Sequence, residues 1–265
     1  MRIIFTVLAA ITILTACTTS PTGRSQVKLF SAERLNSMGT QTFASLKSEQ
    51  KVSNQRVENQ YVQCIADALI PFIPAGTFDG DWEVVVFDDE QVNAFALPGG
   101  KIGIYTGILQ VATTPDQLAA IMGHEIGHVI AEHGNERMSI ATLSNLGLQI
   151  TNVGLQSAGV TDSNQALMMA GAGLLAQFGV NLPFSRAHES ESDLIGLQLM
   201  AKAGFDPNAA PLLWQNMAAA AAGKAPPEWQ STHPSHATRI ADLTAAIPSV
   251  MADYLAVTNK PNCVQ

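Results

Sequence analysis

The residues in this chain best suited to chemistry are His124, Glu125 and His128, inside the run LAAIMGHEIGHVIAEHG that starts at Leu118. On an α-helix, residues four apart share a face, so His124 and His128 can close on one metal ion. Two imidazoles at this spacing make half of a zinc site, and Glu125 between them can take a proton from a water on the metal. Leu118, Ile121, Met122, Ile126, Val129 and Ile130 give the helix apolar cover. A His-Glu-His group inside such a run is costly to bury unless it is partnered. A catalytic zinc takes three protein ligands and keeps a fourth position for water, so a third ligand must come from elsewhere in the chain.

The stretch SRAHESESDLIGLQLMAKAG, from Ser185 to Gly204, supplies candidates. It reads as a helix with polar residues at its start, closed by Gly204. Glu189 and Asp193 are four apart and share a face. Glu189 can serve as the third ligand while Asp193, one turn on, hydrogen-bonds the free ring nitrogen of a liganding histidine. An acidic helix start also suits the helix dipole without any metal. Glu191 lies roughly opposite and competes with Glu189, since a shift of one residue in helix phase would exchange the faces. His188 points to a different side from Asp193. His133 falls five residues after His128, whereas a metzincin needs a third His six residues after it and a Gly three after; Gly134 and Ala131 stand there.

These groups need a scaffold, and the chain has material for one. It has 265 residues, 47% of them apolar and 14% charged, which marks a folded protein holding one large domain or two small ones. Met1-Arg2 followed by the uncharged apolar run Ile3 to Ala16 reads as a targeting segment. That run is shorter than the about 20 residues of a membrane span. Leu14-Thr15-Ala16-Cys17 resembles a bacterial lipobox, which implies cleavage before Cys17 and acylation of that cysteine. Thr18 rather than Asp after it points to the outer membrane. The expected organisation is a signal peptide over 1–16, a tether over 17–30 and a single domain over 31–265. The net charge is −8, and losing Arg2 with the signal makes it one unit more negative. This argues against nucleic acid or an anionic lipid surface as partner. The remaining cysteines, Cys64 and Cys263, can pair in an oxidising compartment and tie the C-terminal tail to an early helix.

The periodicities predict helices from Ser31 as N-cap and over about 54–72. Strands follow at 82–87, 92–97 and 101–105, with Pro98-Gly99-Gly100 turning between the last two. They form a small, mostly antiparallel sheet beside the HEIGH helix, which starts at Thr114-Pro115. Residues 138–181 lack lysine and arginine and read as two helices around a polar turn at 161–165. They pack on the domain or, alternatively, form a lid or rest on a membrane. Asp206-Pro207 starts a further helix, and the last runs from Pro234 to about Tyr254.

HEIGH, then Glu189-Ser190-Glu191-Ser192-Asp193, then His233-Pro234 with Arg239 resemble the zinc metallopeptidase family of HtpX and the CAAX prenyl endopeptidases, in its soluble periplasmic lipoprotein branch. Asn93-Ala94-Phe95-Ala96-Leu97-Pro98-Gly99-Gly100 and Thr22-Gly23-Arg24-Ser25-Gln26 are also similar to that branch. Ser192 departs from the family's usual Ala, and neither transmembrane helices nor a tetratricopeptide segment is present. The resemblance implies an α+β, mainly helical zincin-like fold and one Zn²⁺ per chain. It implies His124, His128 and Glu189 as ligands, Glu125 as general base and Asp193 behind a ligand. His233 and Arg239 are candidate donors to the oxyanion of the reaction; His233 could instead reach the zinc and hold the site closed, or merely open the last helix. An extended substrate could add to the strand at Asn93, Ala94, Phe95 and Ala96 by main-chain hydrogen bonds. The expected function is endopeptidase action on unfolded or misassembled envelope polypeptides, in a periplasmic protein held to the inner leaflet of the outer membrane by its lipid alone. The alternatives are a zinc-bearing chaperone or assembly lipoprotein with latent proteolysis, and a metal-free scaffold.

Overall fold

The computed structural model describes residues 17–176, 182–221 and 236–264. Its elements run β1 (Cys17–Thr19), β2 (Ser25–Val27), α1 (Ala32–Glu49), α2 (Arg56–Leu69), β3 (Glu83–Phe87), β4 (Ala94–Leu97), β5 (Lys101–Tyr105), α3 (Thr106–Leu109), α4 (Pro115–Ile130), α5 (His133–Ser157), α6 (Asp162–Ala176), α7 (Leu182–Lys202), α8 (Ala209–Ala221) and α9 (His236–Ala256). The architecture is mainly helical with small sheets, the α+β zincin-like class expected. Ser31 and Thr114 cap α1 and α4 by accepting from the amides of Arg34 and Gln117, as their sequences require. Pro71 is taken up in a 3₁₀ turn, Ile70–Phe72, that closes α2.

The main sheet has the order β3-β5-β4, with β5 antiparallel to β4 and parallel to β3. Both faces are covered, which the period-2 alternation makes possible. Val86, Ala94, Ile102 and Ile104 join the main core with α2, α4, α7, α8 and α9. Phe87 and Tyr105, with Phe95 and Leu97 against them, point the other way and meet Phe43 of α1. Gly103 is needed beneath that cluster, because a Cβ there would lie 2.3 Å from the Phe95 ring. The turn before β5 places Gly99 and Gly100 at positive φ, 86° and 67°. A disulfide joins Cys64 of α2 to Cys263.

Three expectations shift. Residues 17–30 are not a loose tether: β1 and β2 pair as an antiparallel hairpin with Ser20 and Gln26 buried. Helix α5 begins at His133 rather than near 138, because Glu132 takes a left-handed conformation (φ 51°) that ends one helix and starts the next. The break between α5 and α6 comes at Gly159 (φ 70°), and Asp162 opens α6 instead of standing in a turn. Among the described residues, no helix is long and apolar enough to cross a membrane.

Candidate metal centre

The centre forms where α4 and α7 pack closely, and glycine makes that approach possible. A Cβ on Gly196 of α7 would lie 2.6 Å from the His124 amide nitrogen, and one on Gly127 of α4 would lie 2.9 Å from the Ser192 carbonyl oxygen. Ser192 donates its hydroxyl to the His124 carbonyl at the same crossing. With the backbones this near, the polar end of α7 reaches the histidines of α4.

His124, His128 and Glu189 offer ligand atoms that all lie within 4.8 Å of one another. His124 Nε2 is 3.2 Å from His128 Nε2, and the two are 3.3 Å and 3.4 Å from the Glu189 carboxylate oxygens. Tetrahedral zinc with bonds of 2.0–2.1 Å requires ligand atoms about 3.3 Å apart. The three side chains thus stand close to the spacing that the ion requires, with His124 nearest Oε2 of Glu189 and His128 nearest Oε1. His124 and Glu189 are buried and His128 nearly so. Burial pushes the Glu125 carboxyl up to about 7, and the nearby Glu189 adds to the rise. Burial lowers His128 to about 3. At His124, burial and Arg239 are outweighed by the carboxylates of Asp193 and Glu189, which raise the ring to about 9, so a metal ion would have to displace its proton.

Each histidine has its second ring nitrogen held. His124 Nδ1 lies 2.9 Å from Asp193 Oδ1, the arrangement expected of Asp193. Arg239 and His124 hold that aspartate below its ordinary pKa despite burial. Arg239 itself is buried, donates from Nε to Asp193 Oδ2 at 2.8 Å and from Nη1 to Glu189 Oε2 at 3.4 Å, and lies 3.4 Å from the centroid of the Trp214 ring. These bonds engage the guanidinium with the carboxylates of the centre. His233 lies outside the described residues.

His128 is held by a side chain whose role the spacing did not disclose. Its Nδ1 lies 2.8 Å from His133 Nδ1, and His133 Nε2 lies 3.1 Å from Glu191 Oε2. Glu191, the rival to Glu189, thus points away from the ligand cluster. Burial takes His133 down to about 4. Glu191 and Glu136 share Arg24 of the β1–β2 hairpin, and His188 Nε2 lies 2.9 Å from Glu136 Oε2. The signal for this network was present: Asn135, Glu136 and Ser139 give the opening turns of α5 a polar inner side, and the 17–30 segment carries Arg24 and Lys28 but no acid.

A cleft of about 410 Å³ opens beside the centre, lined among others by His128, Val129, Ala96, Leu97, Leu35 and Pro21. Strand β4 is at an edge of its sheet. Of the four residues expected to meet substrate, Ala96 lines the cleft, Ala94 is buried and Phe95 packs with Phe43, Phe87 and Tyr105. Asn93 uses its carbonyl on the Tyr105 amide.

Comparison with known proteins agrees with this geometry. The model of peptidase family M48 matches residues 56–247. Mitochondrial metalloendopeptidase OMA1 of Schizosaccharomyces pombe is 39% identical over 176 residues, 66% of this chain and 49% of that protein. The bovine mitochondrial metalloendopeptidase OMA1 is 35% identical over 212 residues, 77% of this chain and 39% of its own length. The β-barrel assembly-enhancing protease of Yersinia pestis is 30% identical over 191 residues, 69% of this chain and 37% of that protein. The chain spans about half or less of the length of these relatives.

Proposed function

This chain belongs to peptidase family M48, and from that premise we propose that it is a zinc-dependent endopeptidase acting on extended polypeptides. The observation that carries the reading is the match between the His124, His128 and Glu189 triangle and tetrahedral zinc. When bound, zinc would supply an acidified water and a Lewis acid for the scissile carbonyl. Glu125, next to His124 on the helix, takes the proton of the attacking water and returns it to the leaving amine. Asp193 keeps the His124 ring in the ligating tautomer, and Arg239 keeps Asp193 and Glu189 in place. The edge of β4 aligns an extended substrate by main-chain hydrogen bonds, and the adjoining apolar cleft takes its side chains.

The natural substrates in this reading are unfolded or misassembled proteins of a bacterial envelope. Supporting it are the lipobox-like stretch ending at Cys17 and the similarity to a β-barrel assembly-enhancing protease. An acylated Cys17 would hold the protein to the inner leaflet of the outer membrane. A second reading, a zinc-bearing chaperone with little proteolysis, draws on the apolar side chains that α5 and α6 leave exposed, Ile150 and Leu167 among them.

Cleavage of casein by the protein beside Glu125→Gln tests both. Loss of cleavage, by about 10²-fold or more, with zinc still bound supports the peptidase. Cleavage that survives the substitution overturns the assignment of Glu125. Zinc binding without cleavage by either form favours the chaperone.

A further inference from the structure

We propose that Arg24, in the N-terminal hairpin, is a positioning residue of the metal centre, orienting the ligand His128 through Glu191 and His133. The inference rests on the zinc reading above and goes past the residues that reading uses.

The path is continuous and its protons are determined. Coordination through His128 Nε2 leaves the ring proton on Nδ1, which donates to His133 Nδ1 at 2.8 Å. His133 must then carry its own proton on Nε2, where it donates to Glu191 Oε2 at 3.1 Å. On its other side Glu191 accepts from the hairpin: Thr22 donates to Oε1 at 2.6 Å and Arg24 Nε to Oε2 at 3.0 Å. The rest of the guanidinium grips Glu136 through Nη1 and Nη2 at 2.8 Å and 2.6 Å. Its planar fork thus fixes Glu191 against α5, a geometry that lysine cannot reproduce. Gln26 adds a bond from Nε2 to the Ala131 carbonyl at 2.6 Å, at the α4–α5 junction between His128 and His133. His133 and Glu136 are fully buried and Glu191 nearly so, while the Arg24 side chain is 23% exposed.

His124 and His128 are therefore supported differently. Both carboxylates, Asp193 and Glu191, stand on α7 with the ligand Glu189, but Asp193 meets the His124 ring directly. The carboxylate behind His128 reaches it through a second imidazole and depends on a segment more than 100 residues away in sequence from both helices.

The test is zinc affinity, by competition with a chelator, for the wild type, Arg24→Gln and Thr22→Val. Thermal unfolding of the zinc-free forms and the visible absorption of the cobalt(II)-substituted forms are read in parallel. We expect Arg24→Gln to weaken zinc by tenfold or more and to alter the cobalt spectrum, which a purely structural role would leave unchanged. Thr22→Val removes one bond to Glu191 and leaves the ion cluster intact; it should keep the zinc-free stability and still lose some zinc affinity. If Arg24→Gln does not fold, Thr22→Val decides alone. Wild-type affinity and cobalt spectrum in whichever variant folds overturn the proposal. Failure of the wild type itself to bind zinc overturns the reading on which it rests.

Discussion

At the scale of single residues, the protein places buried charges in a way that links stability to pH. Burial alone would raise the Glu136 carboxyl, but Arg24 and His188 outweigh it and hold the group at about 2. A carboxylate with a depressed folded pKa contributes stability that is full above its ordinary value of 4.5 and is lost as pH falls from there through about 2. Urea unfolding between pH 6 and pH 3 should therefore show the wild type losing stability steeply, and Glu136→Gln starting lower and losing less. Equal slopes for the two proteins would remove Glu136 from the account of acid sensitivity.

At the scale of elements, the decisive contact is α4 against α7. The helix carrying HEIGH and the helix carrying Glu189 and Asp193 approach until backbone meets backbone at Gly123, Gly127 and Gly196. The distance from His124 to Asp193 is set there. Gly196→Ala introduces a Cβ 2.6 Å from the His124 amide nitrogen, an atom that cannot move without its helix. We expect about 1–3 kcal/mol of destabilisation from overpacking, accompanied by at least tenfold weaker zinc binding as Glu189 and Asp193 are displaced. Thermal unfolding and chelator competition on the same variant check the pair of effects; lost stability with unchanged zinc affinity would separate the packing from the site.

For the molecule as a whole, the chain ends are fastened to the domain by different means. The N-terminal hairpin is held by ionic hydrogen bonds to a buried carboxylate, and the C-terminal tail by the Cys64–Cys263 disulfide, which spans 199 residues. Closing so long a loop restricts the unfolded chain, a contribution of about 2–4 kcal/mol. Cys64→Ser, or reduction of the wild type, should lower the urea midpoint accordingly while leaving zinc binding in place. An unchanged midpoint would mean that the cross-link adds nothing to stability.

Much of this was legible in the sequence because it is local. The i, i+4 spacing of His124 and His128, the caps at Ser31 and Thr114, and the glycine turn before β5 depend on residues a few positions apart, where helix and turn geometry leave little choice. The pairing of Glu189 with Asp193 was readable for the same reason. The choice between Glu189 and Glu191 was not, because it turns on the phase of α7 against α4, which the glycine contact sets. Nor was the partner of His128. Arg24, His133, Glu136 and Glu191 come from separated segments, and each has an ordinary solvent-exposed reading in its own neighbourhood. Only the folded chain removes the water around them, and buried charges must then find one another. The helix that can carry a metal, and the chemistry open to it, follow from residues a few positions apart. Which carboxylate joins His124 and His128, and that the segment read as a tether is built into the domain, follow only from the packing of distant segments.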